Sequence, residues 1–138
     1  MATKAYAEKY VSPDDLLTAI LALAKEKSGR DPFKFRGHDS ELQRIFHQLA
    51  NETGSPVLSS FVYSDSGPEP YSPVLTEAIS RLQLAGLVGR ENPDYEVILL
   101  RPSASEYFNQ VLRRRLSETE IGEIRRVANE FLKLVSLG

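Results

Sequence analysis

The chain has no cysteine, no tryptophan and a single methionine among its 138 residues. Without cysteine there is no disulfide, no thiolate zinc site and no cysteine nucleophile, which suits a reducing compartment. No apolar run approaches the ~20 residues that cross a bilayer, so no membrane partner is expected. The opening residues MATKAYAEKY lack the apolar core of a signal peptide, and a cytoplasmic protein is expected. A G-x-S-x-G nucleophile motif and a glycine-rich phosphate loop are both missing. The carboxylates fall in the first turns of helices or on polar faces, where capping and solvation explain them. The expectation is a protein without catalytic activity and without a cofactor. The two histidines, His38 and His47, have no second ligand pair at metal spacing, so no metal site is expected either.

An excess of positive charge is also lacking. The formal net charge is −2, which offers no bulk attraction to nucleic acid. The carboxylates are concentrated in the middle of the chain. Between residues 39 and 102 stand Asp39, Glu41, Glu52, Asp65, Glu69, Glu77, Glu91, Asp94 and Glu96, against only Arg44, Arg81, Arg90 and Arg101.

What is present is an ordinary globular composition, 41% hydrophobic and 26% charged, of a length that fits one domain over residues 1–138. A first helix starts at Ser12-Pro13, with Asp14 and Asp15 at its positive end and Leu16, Leu17, Ile20, Leu21, Leu23 and Ala24 as a wide apolar face. In the linker that follows, Phe33 and Phe35 alternate with Lys34 and Arg36, a pattern for a short extended segment with both phenylalanines inward. A second helix is expected from Ser40, with Ser40 and Gln43 as a capping box and Leu42, Ile45, Phe46, Leu49 and Ala50 as its buried stripe.

PVLSSFVYS, residues 56–64, predicts a short strand over about Leu58–Tyr63. GPEPYSP then breaks the chain and opens a third helix with Ser72 as cap and Pro73 behind it. Its core face is Leu75, Ala78, Ile79, Leu82 and Ala85, and Gly86 ends it. Two β-rich runs, 87–90 and 95–100, joined by Glu91-Asn92-Pro93-Asp94, read as a hairpin. A fourth helix begins at Ser103 or Ser105, with Tyr107, Phe108, Val111, Leu112 and Leu116 inward. Ser117 and Glu120 form a capping box for a fifth, from about Glu118 to Leu137.

The stretch from Tyr71 to Phe108 carries a recognisable pattern. A capped helix with a leucine-rich face runs into Leu82-Gln83-Leu84-Ala85-Gly86-Leu87-Val88, then a hairpin, then an apolar strand leading into another helix. This resembles the winged helix-turn-helix superfamily. A narrower resemblance, over roughly 40–108, is to the YwgA-like winged-helix proteins, on FVYSDSGPEPYS (residues 61–72) with Glu69-Pro70 inserted in the motif. The fold this implies is α+β, mainly α: a winged-helix core over 12–102 and a two-helix C-terminal extension over 103–138.

The resemblance implies a transcription-regulator-like protein whose third helix lies in the major groove of double-stranded DNA while the wing touches backbone. The residues placed to do so are Thr76, Ser80, Arg81 and Gln83 on the helix, Arg90 on the wing, and Lys34 and Arg36 beside it. Glu77 sits in the middle of that helix face, and Glu91, Asp94 and Glu96 crowd the wing. A reading head of that charge opposes phosphate contact. The alternative is an adaptor in which the acidic wing and third helix bind a protein partner. Arg113-Arg114-Arg115 with Arg125 and Arg126 reads either as a phosphate clamp or as cations at a helix C-terminus. On the fifth helix, Ile121, Ile124, Ala128, Phe131 and Val135 follow a 3-4-3-4 spacing. Such a seam either folds back on its own chain or pairs with a twofold mate, and the winged-helix resemblance implies a homodimer.

Overall fold

Ser12 starts α1 (Pro13–Ser28) as the sequence predicts. Its hydroxyl accepts from the Asp15 amide at 3.1 Å, Pro13 occupies the first turn, and Gly29 closes the helix in the left-handed region. Every residue from Leu16 to Ala24 is buried, so α1 is apolar on all sides. A helix of that kind lies at the centre of a fold and is wrapped by others.

The computed structural model describes residues 11–64, 67–91, 96–135 and 137. After α1 come β1 (Phe33–Arg36), α2 (Asp39–Thr53), a 3-10 turn (Pro56–Ser60) and α3 (Pro73–Leu84). Then follow β2 (Val88–Glu91), β3 (Val97–Leu100), α4 and α5 (Glu118–Leu134). α4 begins as Pro102–Tyr107, widens to a π turn at Phe108–Leu112 and finishes as Arg113–Arg115. The result is mostly helical, with one antiparallel sheet of order β1-β3-β2. Phe33 sits opposite Leu100 and Phe35 opposite Ile98, and Val88 faces Leu100 from the other side. This register puts Phe33, Phe35, Ile98, Leu100 and Val88 on the buried face.

The strand therefore stands before α2, not after it. Residues 58–63 do not form the strand that their composition predicts. Ser55 caps a 3-10 turn with Pro56 in its first position, and Leu58 and Phe61 are buried from that turn. A preset proline φ and a serine cap outweigh β propensity here, because no neighbouring strand offers a ladder. A lone bridge, Ser64 to Tyr71, is all the β pairing in this region among the described residues.

The capping box at Ser40 is also corrected. His38 caps α2, with Nδ1 accepting from the Ser40 amide, and Gln43 is buried elsewhere. On α3, Ser72 accepts from the Leu75 amide at 3.4 Å and Gly86 takes φ +79, as the sequence predicts. Ala85, expected in the core, is exposed. The turn expected at Glu91-Asn92-Pro93-Asp94 lies, from residue 92 on, outside the described residues.

The two C-terminal helices share the core of the rest. Phe131 of α5 meets Phe35 of β1 edge-on at 5.3 Å between ring centres, and lies 5.7 Å from Phe46 of α2. Ile124, Val127, Ala128 and Phe131 are all buried, and α5 packs along α1. Ser117 and Glu120 make the predicted capping box, each accepting from the other's amide. Among the described residues no helix is long and apolar enough to cross a membrane.

Candidate functional site: the face of α3 and the sheet

α3 is held in place by a buried amide. Gln43 of α2 accepts from the Ser72 amide at 2.8 Å through Oε1, and its Nε2 donates to the Ser72 carbonyl at 3.0 Å and to Thr76 Oγ1 at 2.8 Å. Thr76 in turn donates to Asp39 Oδ1 at 3.0 Å. One side chain thus satisfies both backbone groups of the residue that caps α3. This fixes the crossing of α2 and α3, and it uses Thr76 to do so.

Arg81 lies five residues after Thr76 on α3 and is bound to α1. Its Nε and Nη2 donate to the two carboxylate oxygens of Asp14 at 2.8 and 2.9 Å, a fork-on-fork pair. That hydrogen bond raises the arginine's pKa above its ordinary value. The pair is about half exposed at Arg81, where solvent screens it, so it stabilises little in itself. Next to it, Tyr107 donates to Asp15 Oδ1 at 2.9 Å across a cleft of about 330 Å³ between α1, α3 and α4. Burial first, and the bond to Asp15 second, push the Tyr107 phenol above its usual value.

The cations of the sheet are paired in the same way. Lys34 Nζ reaches across β3 to lie 3.0 Å from Glu91 Oε2 on β2, and Arg36 bonds Glu96 and approaches Glu41 at 3.7 Å. Arg90 turns inward from β2, donating to the Gly37 carbonyl at 2.9 Å and to Gln83 Oε1 at 3.3 Å. Burial lowers its pKa from the ordinary arginine value.

Of the residues expected to contact DNA, then, Thr76, Arg81, Gln83, Arg90, Lys34 and Arg36 are engaged within the chain. Ser80 is exposed. The structure brings them to one side of the molecule, together with partners that local sequence does not reveal: Asp14, Asp39 and Gln43. Charge on this side is four cations, Lys34, Arg36, Arg81 and Arg90, against six carboxylates, Asp14, Asp39, Glu41, Glu77, Glu91 and Glu96. Among the described residues the charges of this face sum to two excess negative charges.

An apolar residue completes the α3 face. Leu84 is 88% exposed, the highest value among large hydrophobic residues described. Glu77, Ser80, Arg81 and Leu84 recur at the three- and four-residue spacing of one helix face.

Of the two uses the α5 seam allows, its residues take the fold-back on their own chain. Ile124, Ala128 and Phe131 have no exposed surface, Val135 is 8% exposed and Ile121 is half-buried. This stripe meets α1, α2 and β1 of its own chain, so a twofold mate has no access to Ile124, Ala128 and Phe131. The 3-4-3-4 spacing signals a buried stripe and does not distinguish which chain covers it.

Comparison with protein-family models, curated proteins and solved structures finds no match to this chain.

Proposed function

We propose that this chain is a winged-helix protein whose third helix and sheet form a docking face for a protein partner. The winged-helix reading is supported by the capped α3, the Gly86 turn into β2, the β2-β3 hairpin and the apolar β3 that leads into α4. The observation that carries the docking reading is the pairing of this face's cations with the chain's own carboxylates. The face keeps two excess negative charges and an uncovered Leu84 at its end. Phosphate contacts need cations that a duplex can reach, and like charge at an interface repels. A partner segment with basic residues around an apolar one fits such a surface.

A photo-reactive residue placed at Ser80 tests this. One protein partner should be captured in the cells that make the chain, and capture should be lost in Leu84→Glu and in Glu77→Lys. Cross-linking indifferent to both substitutions, together with duplex binding that Arg81→Ala or Gln83→Ala weakens, would return the face to DNA.

A further inference from the structure

We propose that the corner between α4 and α5 binds the phosphate backbone of duplex DNA without reading its bases. α4 ends in three consecutive arginines, and Ser117 caps α5 after the single intervening residue Leu116. A cleft of about 420 Å³ opens at this corner between Arg113 and Arg125. A neighbouring cleft of about 280 Å³, lined in part by Lys25 and Arg30, lies between α1 and α4.

Arg113 lines the larger cleft and bonds two residues, Glu26 and Asn109, that line the smaller. Its guanidinium donates to Asn109 Oδ1 at 3.2 Å and to Glu26 Oε2 at 2.9 Å, and it stacks 4.8 Å from the centre of the Phe108 ring. That residue is structural. Arg30, Arg114 and Arg125 are exposed, and among the described residues none has a side-chain hydrogen bond or ion pair. This contrasts with the α3 and sheet face, whose cations have partners.

The charges around the corner are Lys25, Arg30, Arg113, Arg114, Arg115 and Arg125, opposed by Glu26, Asp31, Glu118 and Glu120. The excess is two positive charges, on a chain whose net charge is −2. Arginine's planar fork matches a phosphate in a way a lysine ammonium does not, and all three unpaired cations here are arginines. The surface favours a duplex over a single strand, because no aromatic side chain lines the Arg113–Arg125 cleft for a base to stack on. It favours a duplex over a membrane, because the exposed large apolar residues described, Val62, Tyr71 and Leu84, all lie elsewhere.

Mobility shifts of a random-sequence duplex at low salt test the proposal. Wild-type protein should shift the duplex at micromolar concentration, with little sequence preference. The Arg114→Glu/Arg125→Glu double variant should lose about tenfold or more in affinity. Its thermal midpoint should fall only slightly, as a reversed charge in the last turn of α4 requires, since neither side chain has a partner to lose. Converting both to alanine should flatten the log-affinity against log-salt slope by about 2, near one per lost phosphate contact. Arg81→Ala should shift like the wild type, which separates this surface from α3. The proposal is overturned by a wild type that shifts nothing at low salt, or by binding indifferent to both arginines. A single-stranded oligonucleotide that out-competes the duplex, or anionic vesicles bound in its place, would overturn it equally.

Discussion

Gln43 makes three hydrogen bonds while only 4% exposed, and two of them satisfy the backbone of Ser72, which is itself fully buried. Replacing it by leucine keeps the volume but leaves a buried N–H and a buried C=O without partners. Each such orphan costs ~1–3 kcal/mol. Gln43→Leu should therefore lower the urea midpoint markedly, and by more than Ser72→Ala, which removes one cap bond of ~0.5–2 kcal/mol. Tyr63 presents the opposite case. Its hydroxyl is buried with no partner among the described residues, and burial pushes the phenol well above its ordinary value of 10.0. Tyr63→Phe removes an unsatisfied group, so at neutral pH it should be neutral or stabilising by up to ~1 kcal/mol. The alkaline behaviour follows from the direction of the shift. Above about pH 10 the unfolded phenol ionises while the folded one keeps its proton, so the native chain binds more protons and stability falls as pH rises. Tyr107, also raised, adds to the same decline. Denaturant midpoints at neutral and alkaline pH should show a shallower fall in Tyr63→Phe. A hydroxyl that is bonded in solution would reverse the neutral-pH result.

At the scale of the element, α5 shows what sequence periodicity conveys and what it omits. Its start, its capping box and its buried stripe follow from Ser117, Glu120 and the apolar spacing, all of them local. Which surface covers the stripe depends on Phe35 and Phe46, which stand 96 and 85 positions before Phe131 in the chain. No local pattern encodes that. The same division holds for α2. Leu42, Ile45, Phe46 and Leu49 were legible as its core from spacing, whereas Gln43 looked like a cap residue because its true partners stand 29 and 33 positions on. The candidate site was legible only as a set of polar residues on α3, and its pairing with Asp14 was not. Because Phe131 is fully buried within its own chain, Phe131→Ala should cost ~3–5 kcal/mol of folding stability. The loss should appear in the unfolding midpoint equally at low and high protein concentration. A midpoint that rises with concentration in the wild type and not in the variant would instead place this ring in an association equilibrium.

Across the whole molecule, α1 works as a ruler between two surfaces of opposite charge. Arg81 of α3 bonds Asp14 in its first turn, and Arg113 of α4 bonds Glu26 near its end. Those anchors are twelve residues apart, or roughly 18 Å at 1.5 Å per residue. The Debye length is about 8 Å at physiological salt, so charge changes at one surface are screened from the other. This gives a prediction about coupling. Glu77→Lys adds two positive units to the acidic α3 face, and Arg114→Glu removes two from the α4–α5 corner. At physiological salt Arg114→Glu should weaken duplex binding, Glu77→Lys should leave it unchanged, and the double variant should match Arg114→Glu to within about 0.5 kcal/mol, as for distant sites without shared partners. At much lower salt the Debye length lengthens to about 30 Å, which exceeds the separation. Each substitution then alters the field over the entire chain, and Glu77→Lys should raise non-specific affinity even in the Arg114→Glu background. A double-mutant cycle of duplex titrations at both salt concentrations measures this directly. Strong coupling at physiological salt would mean that one duplex spans both surfaces, and the α3 face would then be part of the DNA contact.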